Sequence, residues 1–335
     1  MFGKTQNKTT TGESISRFRE LGMLMIIILV SLLVQLRNPS FLTLENIDDL
    51  LKNTAILSIL SVGMMLVIVT RGIDLSIGAT LALSGMISAL TVSANPGLSP
   101  VLAILLGIGV GIVCGSLVGL LVAKFNILPI IASLGMMNVY RGLTYILSGG
   151  KWVSSYQMPE SFKKIATGNV LGINMLVFIA IIIYIIFYYF INHVRTGRQI
   201  YAVGSNPESA KISGINNSKI LFIVYVIMGA LAGLAGVLWV SKFASAQGDT
   251  AVGYEMNVIA ACVLGGVSMA GGSGKISGLI MGSVLLGILN NALPLVKVSP
   301  FWQQAIHGVI ILAAVLINTL VKRRVDKNNL LRRKI

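Results

Sequence analysis

Val101–Val122 reads VLAILLGIGVGIVCGSLVGLLV, an uncharged run long enough to cross a bilayer once as a helix. A surface helix of a soluble protein would turn a polar face to water every second or third residue, and this run has none. Four of its five glycines, Gly107, Gly111, Gly115 and Gly119, recur every fourth residue and so share one helical face. Such a small-residue stripe suits helices packed in lipid, where backbones must approach closely to gain van der Waals contact.

The same character extends outward in both directions. Further apolar segments lie at Leu21–Leu36, Thr54–Thr70, Leu75–Val92, Leu128–Leu147, Leu171–Phe190, Ile220–Val240, Asn257–Met269, Ile276–Leu293 and Phe301–Val321. Asn257–Met269 is too short to cross as a straight helix, so it is expected either to re-enter or to borrow its polar flank. The chain has 335 residues, 11% of them charged, and a mean hydropathy of +0.86. Soluble domains carry about 25% charged residues, so no stretch is left for a soluble ATPase or nuclease domain. The fold class read here is all-α: a polytopic membrane bundle of about ten transmembrane or re-entrant segments.

The net charge of +15 is explained by position rather than by nucleic acid. Basic clusters flank the apolar segments: Lys4, Lys8, Arg17 and Arg19 precede the first, and Lys322, Arg323, Arg324, Lys327, Arg332, Arg333 and Lys334 follow the last. With ten crossings and both termini cytoplasmic, the inside loops and tails also hold Arg71, Lys124, residues 191–219 and Lys275. The outside set is the smaller, as the positive-inside rule requires. The organisation expected is a cytoplasmic tail (1–20), a transmembrane domain (21–321) with one long cytoplasmic loop (191–219), and a basic cytoplasmic tail (322–335). No small-x-small cleavage site follows Leu21–Leu36, so it reads as a retained span.

Several motifs have a plain structural reading. Cys114 and Cys262 sit inside apolar runs, and His193 and His307 have no ligand spacing, so neither pair suggests a metal. Gly271–Ser277 (GGSGKIS) brings a phosphate-binding loop to mind, but Met269 stands where the first glycine belongs and Ile276 where the hydroxyl belongs. It reads as a turn entering a span. The paired segments Thr54–Val92 and Asn257–Leu293 share a Gly/Ser-rich character that points to inverted repeats about a central pathway.

The long loop is the most informative stretch. Asn206-Pro207-Glu208-Ser209-Ala210-Lys211-Ile212-Ser213-Gly214 encodes a complete short helix. Asn206 is an N-cap, Pro207 suits the first turn, Glu208 faces the positive end of the dipole, and Gly214 stops it. So short a helix is unstable alone, so it must rest on its own membrane domain or dock on a partner subunit. Arg71 and Asp74 lie where a tight turn meets the membrane; Asp74 is expected to cap the next helix and pair with Arg71. Asn138, Arg141 and Tyr145 interrupt the fifth segment, and Asn290 and Asn291 the ninth. Polar groups in a span should face the bundle interior or a cavity, so these are the pathway candidates. Trp152, Tyr156, Trp239 and Trp302 fit an interfacial aromatic belt.

Three stretches taken in order carry a family resemblance: Thr70–Gly78 (TRGIDLSIG), Gly197–Asn216 (GRQIYAVGSNPESAKISGIN) and Gly253–Gly274 (GYEMNVIAACVLGGVSMAGGSG). The chain resembles the permease subunits of bacterial ABC importers for simple sugars, typified by the ribose permease, from about residue 40 to 320. That family usually has Gly-Gly where this chain has Arg71-Gly72. A short likeness to autoinducer-2 permeases lies in Gly149–Trp152 and Ala260–Cys262.

The resemblance implies a non-catalytic inner-membrane subunit that pairs with a second permease, itself or a paralogue. It also implies cytoplasmic ATP-binding subunits that use ATP and Mg, and an extracytoplasmic solute-binding protein. No cofactor is expected on this chain, and no nucleic-acid partner; membrane lipid surrounds it. The family's coupling segment matches Pro207–Gly214. The expected cargo is a monosaccharide or related furanosyl compound. Autoinducer-2, nucleosides and branched-chain amino acids are the alternatives. An ion-driven secondary transporter would need acidic groups buried mid-span, and only Asp74, at a turn, comes near.

Overall fold

The computed structural model describes residues 10–299 and part of 301–316, with side-chain environments from Glu20 onward. Its helices are α1 (Thr10–Arg37), α2 (Leu44–Val69), α3 (Ile77–Ala94), α4 (Pro100–Ala123), α5 (Pro129–Ser148), α6 (Glu160–Thr167), α7 (Met175–His193), α8 (Arg195–Ser205), α9 (Pro207–Ile212), α10 (Asn217–Phe243), α11 (Tyr254–Leu264) and α12 (Ile276–Leu295). A two-residue hairpin, β1 (Asn169–Val170) and β2 (Ile173–Asn174), joins α6 to α7. Among the described residues, 8 helices are long and apolar enough to span a membrane. The chain is a multi-pass membrane protein.

Two columns organise the bundle. The apolar stretch of α2 is 89% buried, whereas those of α1 and α7 are 6% and 17% buried and turn leucines and isoleucines outward. In lipid that is no defect, because acyl chains are as apolar as leucine. The second column, α10, packs along α2, α3 and α4. Against α4 it does so backbone to backbone. A Cβ on Gly111 would run into the Gly229 carbonyl, one on Gly229 into the Gly111 carbonyl, and one on Gly107 into Val237. The glycine stripe is thus a packing seam, repeated where Gly282 of α12 meets the Ala261 carbonyl of α11.

Helix directions alternate between two ends. At one, α8 and α9 gather with the starts of α10 and α12; at the other lie the hairpin, α6 and the start of α2. Lys242, near the end of α10, donates to Asn53 at the hairpin end (2.5 Å), while Asn217 at its start donates to the Pro207 carbonyl (2.8 Å). Arg71, Lys124 and Lys275 fall at the α9 end, as the charge pattern requires of one common side.

Two connections are not simple turns. After α2 the chain leaves the helix at Thr70, and α3 begins well inside the bundle: Tyr225 of α10 lies beside Gly72, yet Gly236 lies beside Leu81 and Gly85. Those eleven residues of α10 climb about 16 Å, a rise that the non-helical residues 72–76 share with the first turn of α3. In the opposite direction, residues 244–253 descend from the hairpin end, and α11 starts with Ala251 and Glu255 against Gly78. The two broken passages therefore run antiparallel and meet inside the bundle, each after a long helix (26 residues in α2, 27 in α10).

This arrangement bears on three expectations. The passage that runs antiparallel to α2–α3, the Thr54–Val92 pair, is α10–α11 rather than Asn257–Leu293. Of the two outcomes expected for the short eighth segment, the structure shows the borrowed polar flank: α11 has 11 residues, about half a hydrocarbon core, starts at Tyr254 before the apolar run, and the non-helical descent of residues 244–253 supplies the rest of the crossing. Helix α2 starts ten residues before its apolar run, because Lys52 pairs with Asp48 and Asp49 one turn back and stabilises a polar first portion. The described residues between 301 and 316 are helical; the remainder of Phe301–Val321, His307 and the tails 1–9 and 322–335 lie outside the described residues.

Candidate functional site

The short helix forms as its local signals require. The Asn206 side chain accepts from the Ser209 amide (3.0 Å), Pro207 takes the first turn, and Gly214 at φ 79° ends it. Ala210 is buried, while Glu208, Lys211 and Ile212 face outward, Ile212 being 87% exposed. An exposed isoleucine on a six-residue helix gains nothing from the chain itself. Cavities beside it are lined by Lys124, Asn126, Lys211, Gly214 and Asn216.

What holds α9 in place is α8, which lies across the bundle with Ile200, Val203 and Gly204 buried. Gly204 sits so close to the end of α2 that a Cβ would strike the Val69 carbonyl. Arg71, at φ 66°, donates from Nε to the Gly204 carbonyl (2.7 Å) and from Nη2 to the Ser205 carbonyl (2.6 Å). The Gly272 amide donates to the Val69 carbonyl (2.8 Å), and the Tyr201 hydroxyl to the Gly274 carbonyl (2.8 Å). Burial pushes the Tyr201 phenol up to about 12, so it stays a neutral donor. The end of α2, the end of α8 and the Gly271–Gly274 loop thus form one knot of backbone bonds. The three stretches that carry the family resemblance meet at it.

Asp74 and Arg71 do not form an ion pair. The Asp74 carboxylate accepts from the Ser76 amide (2.8 Å) and hydroxyl (2.6 Å) and so fixes the turn before α3 rather than capping the helix itself, while Arg71 turns away to α8. Both are anchors of the turn, but of different neighbours. Sequence spacing favoured the pair because the two are three residues apart. The competing carbonyls lie 133 and 134 residues along the chain.

The pathway candidates divide into two groups. On α5, the stripe Ala132, Ser133, Tyr140 and Thr144 is buried, and the opposite stripe Gly135, Asn138, Gly142 and Tyr145 is exposed, with nothing within 4 Å of a Cβ on either glycine. Arg141 lies at the edge of that face and donates to the carbonyls of Gly248 (2.8 Å) and Thr250 (2.7 Å), which pins the descending 244–253 segment. Tyr145 packs on Gly248. Asp249, between the two residues that Arg141 holds, is exposed there, and sequence reading missed it because only the descent brings it to α5. Asn290 and Asn291 are elsewhere. Asn291 exchanges amide bonds with Asn46 (3.0 Å), tying α12 to the start of α2 at the hairpin end.

Among the described residues no cluster of His, Cys, Asp or Glu could hold a metal. Both cysteines are buried and free. Trp239 packs edge-on against Tyr254 (5.1 Å between centroids), whereas Trp152 and Tyr156 are exposed at the hairpin end.

A family model described as "Branched-chain amino acid transport system / permease component" matches residues 46–315. The chain is 39% identical to the ribose import permease protein RbsC of Escherichia coli (strain K12), over 89% of this chain and 92% of that one. It is 40% identical to the protein of the same name from Bacillus subtilis (strain 168), over 89% and 91%. The L-arabinose ABC transporter permease protein AraH of Azospirillum brasilense is 34% identical, over 89% and 86%. No solved structure gives a significant match.

Proposed function

The chain belongs to the family of ABC importer permease components just described, and we propose that it carries a monosaccharide, a pentose in the first instance, into the cell. The observation that carries this reading is the knot at the α9 end. A short helix with an outward Ile212 is joined through α8 to the end of α2 and to the loop between α11 and α12. The first leads directly into the broken passage after α2, and the second follows α11, whose start meets that passage inside the bundle. A push on α9 would therefore move the elements beside the pathway rather than an isolated loop.

The chain supplies no ATPase of its own in this reading. Asn206, Pro207, Glu208, Ser209, Ala210, Lys211, Ile212, Ser213 and Gly214 dock on a cytoplasmic ATP-binding subunit, which uses ATP and Mg. Two copies face each other across the exposed stripe of α5, with Asn138, Arg141 and Tyr145 on the pathway wall. The Asn138 amide already donates to the Leu134 carbonyl of its own helix (3.0 Å), and against a second copy its oxygen and the paired glycines offer hydrogen bonds and close approach. An extracytoplasmic binding protein delivers the sugar at the hairpin end. Both termini are cytoplasmic, since the basic loops share the α9 end.

The test is uptake of labelled ribose, arabinose, autoinducer-2 and leucine by cells with and without the gene, under ATP depletion or under an uncoupler. ATP-dependent loss of a pentose supports the proposal. Uptake that survives ATP depletion and collapses with the uncoupler overturns the mechanism, and loss of leucine uptake alone overturns the substrate class.

A further inference from the structure

At the α9 end, the last turn of α7 and the first turn of α12 diverge around a cavity of about 700 Å3. Its rim carries two cations from different elements, Arg198 of α8 and Lys275 before α12, while Tyr188, Ile191 and Ile276 line it with apolar surface. Of the five N–H donors of a guanidinium, Arg198 spends one on the His193 carbonyl (3.0 Å) among the described residues. The cavity does not open only to water. Ile181, Ile185 and Tyr188 lie along one exposed face of α7 and lead from mid-span to its mouth. Ser277, which also lines the cavity, donates its hydroxyl to the Glu20 carboxylate (2.9 Å).

We propose that this cavity is a binding site for one anionic phospholipid, its phosphate between Arg198 and Lys275 and an acyl chain along the Ile181–Ile185–Tyr188 face of α7. The chemistry favours a lipid over a soluble anion because the cations stand where two spanning helices end, so a headgroup reaches them while its chains stay in hydrocarbon. Basic pockets between spanning helices are suited to such headgroups. The site also adjoins the knot that anchors α8, since Tyr201 and Gly274 line the cavity and bond to each other. A bound lipid would steady the very segment that presents α9.

Native mass spectrometry of the detergent-purified full chain, titrated with phosphatidylglycerol, phosphatidylcholine or inorganic phosphate, tests this. Phosphatidylglycerol should be retained under activation that strips phosphatidylcholine. Arg198→Gln and Lys275→Gln should each cut the retained fraction about fivefold. Lys275→Arg should restore it, and Lys242→Gln, a charge removed at the hairpin end, should leave it unchanged. Should one glutamine variant fail to fold, the other together with Lys275→Arg still decides. Equal retention of both lipids, or competition by inorganic phosphate at millimolar concentration, would overturn the assignment, as would undiminished binding in the glutamine variants.

Discussion

Arg71 shows how one side chain can carry more than its neighbours suggest. Its backbone takes a conformation that side chains other than glycine avoid, and its guanidinium repays the strain by binding two carbonyls at the end of α8. Hydrogen bonds from a charged donor contribute about 1.5–3 kcal/mol each. Arg71→Ala should therefore loosen α8 and cut uptake at least tenfold, while Arg71→Gly, which relieves strain but drops both bonds, should do no better. Normal uptake in both variants would show that the anchor is dispensable. Gly111 makes the complementary point, since a side chain there must displace the Gly229 backbone. Gly111→Leu should lower the thermal midpoint of the purified chain, by about 3 kcal/mol or more in stability, and Gly109→Leu, which faces open space, should not.

Among the elements, α9 is the clearest case of sequence dictating local form and tertiary contacts supplying stability. Six residues cannot sustain a helix alone, so the Asn206 cap, the Gly214 stop and the bond from Asn217 to the Pro207 carbonyl hold it. Asn206→Ala should weaken the cap by about 1 kcal/mol and reduce uptake partially. Gly214→Val, which cannot take φ 79° without strain, should abolish uptake while the chain still inserts in the membrane. Membrane fractionation separates the two outcomes; full transport by Gly214→Val would remove the case for α9 as the coupling element. A similar logic governs the 244–253 segment. Arg141→Met should free it from α5 and expose it to protease at the Asp249 side, because both carbonyl bonds of Gly248 and Thr250 are lost.

For the molecule as a whole, disulfide chemistry reads out which face meets a second copy. The native cysteines are buried, so new ones report cleanly. Gly142→Cys on the exposed stripe of α5 should cross-link between copies on mild oxidation, and Ile186→Cys on the lipid-facing side of α7 should not. The reverse pattern would move the pathway away from α5. The same bundle explains why Asn138 and Asn291, alike as asparagines within apolar segments, have separate fates. One lies on an exposed stripe, and the other is spent on Asn46.

Hydropathy, glycine spacing and caps are local properties of the chain, and they sufficed for the membrane class, most of the spans, the α9 helix and the side on which its basic loops gather. They could not reveal that α3 and α11 begin inside the bundle. A non-helical passage through a membrane is tolerated only where neighbouring protein satisfies its backbone, and those neighbours are more than a hundred residues away. Arg71 was legible as an anchor of the turn, but its partners Gly204 and Ser205 were not. The Asp74 pairing failed for the same reason: a nearby charge three residues on lost to carbonyls that only the packed bundle brings within reach.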